Sequence, residues 1–159
     1  MDTSKTSRRE FCAHAISLVT VASLVEGCGG GGGGPTAPGG GGGGNIPQLS
    51  TINAGLQGRA LTVTVDAASP LANVGSAALV QAGGNGFLVT RTGQDTFNAM
   101  TAVCTHEQCT VTGFSSGRFV CPCHGSQYST SGAVQMGPAT RNLQTFPAQF
   151  TNGVLTITV

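Results

Sequence analysis

The sequence predicts an all-β domain over residues 46–159. Short runs of alternating apolar and polar residues, such as residues 61–65, are typical of strands that bury one face. Turns rich in glycine and asparagine separate these runs at short intervals, as in antiparallel β-folds. No stretch after residue 28 has a clear helical period. A chain of 159 residues is long enough for one such domain, and we expect no second domain after the last strand.

The predicted strands follow one another closely along the chain. They are residues 61–65, 78–81, 87–91, 97–103, 118–120, 142–146 and 154–159. Residues 83–86 form a hairpin turn between the second and third of these strands. The Asn152-Gly153 pair predicts a second hairpin, which would join the last two strands.

The composition argues against nucleic acid as a partner. Only 8% of the residues are charged, and the formal net charge of the chain is +1. From residue 46 onward there are four arginines, three acidic residues and no lysine. A protein partner would therefore not be attracted by a strong electrostatic field.

Residues 1–28 have the pattern of an export signal. The run Ser7-Arg8-Arg9-Glu10-Phe11 resembles the twin-arginine motif, and an apolar run over residues 11–25 follows it. That run is shorter than the about 20 residues that a membrane span needs, and it suits a signal segment. The alternative is an ordinary basic N-terminus. Because the twin-arginine route carries folded proteins, it is compatible with a cofactor that is inserted before export.

The end of this segment and the next seventeen residues predict a tether. Residues 25–28 resemble a lipobox, which implies lipidation of Cys28; the alternatives are a soluble cleaved form and an uncleaved anchor. Residues 29–45 are almost entirely glycine and form a flexible linker, with a root-mean-square reach of about 20–25 Å. We therefore expect an exported domain on the periplasmic side that is tethered to the membrane through Cys28.

Two short stretches contain the residues with metal-binding chemistry. They are residues 104–109 (C-T-H-E-Q-C) and residues 121–126 (C-P-C-H-G-S), and together they hold four of the six cysteines and two of the three histidines. Each stretch offers one cysteine and one histidine to a shared metal centre. The remaining cysteine of each stretch is then free to pair with the other.

The two stretches resemble the paired cluster-binding loops of Rieske iron–sulfur proteins, C-T-H-x-x-C and C-P-C-H-G-S. The resemblance covers roughly residues 60–159. It implies one Rieske-type 2Fe-2S cluster, in which histidines replace two of the cysteine ligands. By this resemblance Cys104 and Cys121 would hold one iron, and His106 and His124 would hold the other.

The resemblance also implies a disulfide and a fold. Cys109 and Cys123 would form a disulfide between the two loops. The fold would be a Rieske-type antiparallel β-sandwich with a small cluster-binding subdomain formed by the two loops, at about residues 103–140. The Gly-Pro-Ala sequence at residues 137–139 resembles the proline loop that covers the cluster.

The ligand set and two hydroxyl groups predict a high reduction potential. With two thiolates instead of four, the oxidised centre is neutral and accepts an electron more readily, in a range of about −150 to +300 mV. The hydroxyls of Ser126 and Tyr128 would donate hydrogen bonds to sulfur and stabilise the reduced state. The alternative is that Ser126 is a turn residue and Tyr128 a core aromatic residue.

The resemblance implies an exported electron carrier. It would pass single electrons from a quinol or a partner oxidoreductase to a cytochrome c or a copper protein. An alternative is the small Rieske subunit of a larger oxidoreductase, such as arsenite oxidase. The less favoured alternatives are a zinc site, a catalytic Cys–His pair, an oxygenase component and a structural disulfide domain. An oxygenase would need a second iron site, and the remaining histidine, His14, lies in the signal segment.

Overall fold

The computed structural model describes residues 45–159. The predicted signal segment, the lipidation of Cys28 and the linker up to residue 44 lie outside the described residues. Over residues 45–159, no helix is long and apolar enough to cross a membrane.

The described part of the chain is built from strands and turns, which confirms the predicted all-β class. Its strands are β1 (Ser50–Asn53), β2 (Gly55–Gln57), β3 (Ala60–Thr64), β4 (Ala77–Ala82), β5 (Asn85–Arg91), β6 (Phe97–Thr101), β7 (Gly113–Ser115), β8 (Arg118–Val120), β9 (Gln127–Ser129), β10 (Val134–Met136), β11 (Thr145–Phe146), β12 (Ala148–Thr151) and β13 (Val154–Thr158).

These strands form three sheets. The central sheet has the order β1-β4-β5-β6-β11, the outer sheet has the order β12-β13-β3-β2, and the small sheet has the order β10-β9-β8-β7. All pairs within them are antiparallel except β1 and β4, which are parallel. The small sheet and the two loops that flank the β7–β8 hairpin lie in the sequence between β6 and β11.

The central sheet is buried on both faces. In β4, Ala78 and Val80 belong to a core shared with the outer sheet, whereas Leu79 belongs to a second core shared with the small sheet. Because successive side chains of a strand point to opposite faces, a strand between two layers must be apolar at consecutive positions. The two-sided burial of β4 therefore positions the small sheet against the rest of the domain.

The outer sheet shows the alternation that the sequence predicts. Leu61 and Val63 of β3 are buried, and they lie opposite the buried Ile157 and Leu155 of β13. The threonines between them point away from the core. These cross-strand apolar pairs hold the sandwich together on this side.

Several strand boundaries differ from the sequence prediction. Asn152 and Gly153 do form a hairpin turn with positive φ angles, but the turn joins β13 to β12 and not to residues 142–146. Only Thr145 and Phe146 of that predicted strand pair with β6. Strands β1, β2, β7, β9, β10 and β12 were not predicted, because they are short and largely lack alternating apolar residues.

Candidate metal centre

The two cysteine–histidine loops close with the same hydrogen-bond pattern. In the first, the amide of Cys104 donates to the carbonyl of Cys109, and the amide of Gln108 donates back to the carbonyl of Cys104. In the second loop, the amide of Cys121 donates to the carbonyl of Ser126, and the amide of Gly125 donates back to the carbonyl of Cys121. The residue that closes each turn has a positive φ, 57° at Gln108 and 72° at Gly125. In each loop two backbone amides donate to the cysteine sulfur, those of His106 and Glu107 to Cys104 and those of Cys123 and His124 to Cys121.

Strands of the central and small sheets hold these loops side by side. The first loop follows β6 and leads to β7, and an isolated bridge between Val103 and Thr110 closes its base. The second loop connects β8 to β9, which are paired with each other. The structure therefore brings together the two motifs that the sequence predicted to share one site.

The two candidate thiol ligands lie inside the protein. Cys104 and Cys121 are both 1% exposed, and neither forms a disulfide. Burial opposes ionisation of Cys104, but hydrogen bonds from Tyr128 and from the amides of His106 and Glu107 hold its pKa below the ordinary value. Burial raises the pKa of Cys121, and the neighbouring Cys104 thiolate adds to this effect. A bound cation would favour ionisation of both thiols.

The two candidate imidazole ligands lie at the surface side of the same site. The rings of His106 and His124 are 4.9 Å apart and meet edge to face. The carboxylate of Glu107 lies 3.6 Å from Nδ1 of His124, although Glu107 is adjacent to His106 in the sequence. Ligand atoms of these three side chains all lie within 4.8 Å of one another. The site therefore has a buried sulfur side and a partly exposed imidazole side.

The predicted disulfide is present in the structure. Cys109 and Cys123 are joined by an S–S bond, and they are 14 positions apart in the sequence. The bond connects the two loops directly, next to the candidate ligand of each. It leaves Cys104 and Cys121 as the free thiols of the described residues.

Tyr128 contacts the sulfur side of the site through its hydroxyl group. The tyrosine is fully buried, and its oxygen lies 3.2 Å from Sγ of Cys104. It also accepts a hydrogen bond from the amide of Thr105. Burial and the hydrogen bond to Cys104 both raise the pKa of Tyr128, so the group keeps its proton and can donate it to sulfur.

Ser126 is buried where the second loop closes, since its carbonyl accepts the amide of Cys121. Its oxygen accepts a hydrogen bond of 3.2 Å from the amide of Ala139. Among residues 45–159, no group accepts the hydrogen of this hydroxyl. A buried hydroxyl normally donates as well as accepts, so Ser126 has a donor available for a group bound between the loops.

Residues 137–142, which we call the cover segment, lie over Ser126. A Cβ atom added to Gly137 would lie 2.6 Å from Cα of Ser126. At the other end of the segment, the hydroxyl of Thr105 donates to the carbonyl of Arg141 at 2.6 Å, and the side chain of Asn142 accepts from the amide of Val134. The covering role of residues 137–139 over the cluster stays a prediction, and the structure shows their packing on Ser126.

We expect Gly137→Ala to destabilise the protein by more than a positive φ alone would. Gly137 has a φ of 99°, and its added methyl group would also collide with the backbone of Ser126. Gly117→Ala is a matched control, because Gly117 has a φ of 71° but open space around its Cβ position. A positive φ is expected to cost about 1–2 kcal/mol in both variants, and Gly137→Ala should lose at least about 1 kcal/mol more. Equal losses in denaturant unfolding would contradict the close packing of the cover segment.

The residues present fit a Rieske-type cluster better than they fit zinc. Two thiols and two imidazoles could bind either. A zinc ion would add no hydrogen-bond acceptor of its own to the site, whereas a cluster would add bridging sulfides that accept hydrogen bonds. The donor set therefore matches an iron–sulfur group in both ligand type and surrounding donors.

Comparisons with known proteins agree with this interpretation. The sequence model of the Rieske [2Fe-2S] domain family matches residues 62–147, which is more than half of the chain. The cytochrome b6-f complex iron-sulfur subunit of Cyanothece sp. is 43% identical over 60 residues, which are 37% of this chain and 34% of that protein. The ubiquinol-cytochrome c reductase iron-sulfur subunit of Rhodobacter capsulatus is 48% identical over 54 residues, 32% of this chain and 28% of that protein. The chain thus spans about a third of the length of these relatives.

A solved structure shows the same fold. Naphthalene 1,2-dioxygenase with indole bound superposes with a TM-score of 0.52 at 20% identity, over 62% of this chain and 25% of that chain. At this identity, the similarity between the two structures shows the fold alone. Together with the paired loops and the inter-loop disulfide, the family match shows that the chain belongs to the Rieske [2Fe-2S] domain family, whose cofactor is one 2Fe-2S cluster.

Proposed function

We propose that this domain is a single-electron carrier whose Rieske cluster is held by the four free ligands of the two loops. Cys104 and Cys121 would hold one iron, and His106 and His124 would hold the other. The observation that supports this most strongly is the separation of ligand types, with both thiols buried and both imidazoles on the more exposed side. When bound, the cluster supplies reversible one-electron chemistry.

The position of the imidazoles supports electron exchange with a partner. His124 has 46% of its side chain exposed, so a docked protein could contact it directly. A histidine bound to metal through one ring nitrogen keeps the other available for a proton or a hydrogen bond. The histidine side of the site would therefore serve for electron entry and exit, and for proton uptake on reduction.

The proposed role of Ser126 and Tyr128 is to raise the potential. Their hydroxyls lie on the buried side of the site, where water cannot take their place. A hydrogen bond to sulfur becomes stronger when the sulfur gains negative charge, so it favours the reduced state. Burial strengthens this effect because the local dielectric constant is low.

We expect Ser126→Ala and Tyr128→Phe each to lower the midpoint potential by about 50–100 mV. A hydrogen bond to a charged group contributes about 1.5–3 kcal/mol, and most of this is lost when the group is oxidised. For a one-electron couple, a tenfold change in the equilibrium constant corresponds to about 59 mV. Thr90→Val is a matched control, because Thr90 is a buried hydroxyl that bonds to Thr130 outside the site. A potential unchanged in both site variants, or lowered equally by Thr90→Val, would refute the tuning role.

We also propose that the domain is exported and works beside a membrane. The twin-arginine-like motif, the linker at residues 29–45 and the lipobox-like sequence before Cys28 support this organisation, with the Rieske domain at residues 46–159. The names of the two relatives support a quinol-oxidising complex as the electron donor. The acceptor would be a cytochrome c or a copper protein.

Two measurements test the proposed setting. Stopped-flow mixing of the reduced protein with ferricytochrome c should show rapid oxidation of the cluster.

Cells that express the full chain should show the protein in the membrane fraction, and Cys28→Ser should release it into the soluble periplasmic fraction. A Cys28→Ser protein that stays in the membrane would rule out the lipid tether.

A further inference from the structure

We infer that the backbone amide of Ala139 positions the hydroxyl of Ser126, so that its hydrogen points to sulfur between the two loops. This inference rests on the proposed function, because it concerns how a tuning hydroxyl is oriented. It adds the cover segment as a determinant of the potential. Ala139 would act through Ser126, without contact with the cluster.

The contact itself limits where the Ser126 hydrogen can point. The amide of Ala139 donates to Oγ of Ser126 at 3.2 Å, and the two residues are 4% and 0% exposed. A hydroxyl oxygen has two lone pairs and one hydrogen. When an amide hydrogen occupies one lone pair, the hydroxyl hydrogen cannot point in that direction. Because water does not reach this oxygen, the hydroxyl hydrogen does not bond to solvent instead.

The cover segment is held at both ends, so the amide of Ala139 keeps its place. Gly137 packs against the backbone of Ser126, with no space for a Cβ atom. The carbonyl of Arg141 accepts the Thr105 hydroxyl, and Leu143 donates its amide to the carbonyl of Gly132. Because the amide of Ala139 is already fixed in place, it loses little entropy when it bonds to Ser126. Such a fixed donor is what a preorganised site requires.

Tyr128 also receives a backbone amide hydrogen, beside the thiol of Cys104. Its oxygen accepts the amide of Thr105 at 3.2 Å and lies 3.2 Å from Sγ of Cys104. The hydroxyl of Thr105 donates to the carbonyl of Arg141, so the single hydrogen of Tyr128 has two acceptors within reach, Oγ1 of Thr105 at 3.1 Å and Sγ of Cys104 at 3.2 Å. In both cases a buried hydroxyl receives an amide hydrogen, which leaves its own hydrogen for another acceptor.

The experiment replaces the N–H group of Ala139 with an oxygen atom. Lactic acid incorporated at position 139 of the full chain replaces the amide with an ester, which keeps the methyl group but has no N–H to donate. The potential, the electron paramagnetic resonance (EPR) spectrum and the melting temperature are measured in the Ser126 and the Ser126→Ala backgrounds. Ala139→Gly is the control, because it keeps the amide and removes only the methyl group.

We expect the ester to lower the potential most of the way to the Ser126→Ala value and to shift the EPR g-values. In the Ser126→Ala background the ester should change neither, because no hydroxyl remains to be oriented. Ala139→Gly should keep the potential of the unaltered protein. This pattern is a double-mutant cycle, which isolates the coupling between the two groups.

Other outcomes overturn the inference. An ester that lowers the melting temperature but leaves the potential unchanged would make the amide a structural contact only. Equal shifts of the potential in both backgrounds would show that the ester acts without Ser126. The unaltered protein separates this failure from that of the proposed function: absence of a Rieske EPR signal there would refute the electron carrier itself.

Discussion

His124→Ala is expected to give a folded protein that lacks its iron–sulfur cluster. The side chain of His124 is 46% exposed and packs mainly against the ring of His106, so its removal should cost the fold little. The substitution would remove one of the two imidazoles that we propose as ligands of one iron. Iron and sulfide content should fall at least about tenfold, in line with the effect of weakening a metal site, and the visible absorbance should disappear. The far-UV circular dichroism should remain that of a β-protein.

The neighbouring Glu107→Ala is the matched control for this variant. Glu107 lies in the same loop region and is 60% exposed, but it is not a proposed ligand. It should therefore keep a full complement of iron and sulfide. A His124→Ala protein that retains its cluster would overturn the ligand assignment, and a Glu107→Ala protein that loses it would extend the ligand set.

The double substitution of Cys109 and Cys123 by serine is expected to have the second-largest effect, and to act on the cluster more than on the fold. Closing a loop of this length contributes roughly 3 kcal/mol in the chain-entropy model. The two loops have few apolar side chains to hold them together, so opening the disulfide should mainly free the loops. Cluster absorbance should decay several-fold faster on mild heating, before the circular dichroism signal of the sheets changes.

Both cysteines are replaced together for a structural reason. The sulfur atoms of Cys109, Cys121 and Cys123 lie within 4.8 Å of one another. A single replacement would leave a free thiol that could compete with Cys121 for iron. If the double variant loses its cluster and its sheet signal at the same temperature, the disulfide stabilises the whole domain, and the local role that we assign to it is wrong.

The sequence predicted the strands that have a clear hydrophobic pattern. Strands β3 and β13 alternate and lie in the outer sheet, whereas β4 and β5 are apolar at consecutive positions because the central sheet is covered on both sides. Strand β1 (Ser50–Asn53) has Ile52 as its one apolar residue, and it pairs with β4 through its backbone. A strand that depends on backbone pairing at a sheet edge leaves little signal in its own residues.

The side chains of the candidate site have a signature in the sequence, whereas its backbone contacts do not. The two motifs suffice to propose the ligands, and the predicted disulfide between Cys109 and Cys123 is confirmed. The amide of Ala139 and the hydroxyl of Thr105 were not predicted. They contact residues 13 and 36 positions away, and neither residue type has a metal-site signature. Glu107 likewise lies beside the ring of His124, which only the folded loops could show.

A redox titration of the purified full-length protein, followed by EPR at several pH values, tests the central claim most directly. We predict a Rieske-type signal and a midpoint potential in the upper part of the range of about −150 to +300 mV. The potential should fall as the pH rises, because reduction draws a proton onto a ligand imidazole. A potential near or below about −100 mV without pH dependence would contradict the high-potential assignment. A protein without this signal that contains zinc would contradict the cluster itself.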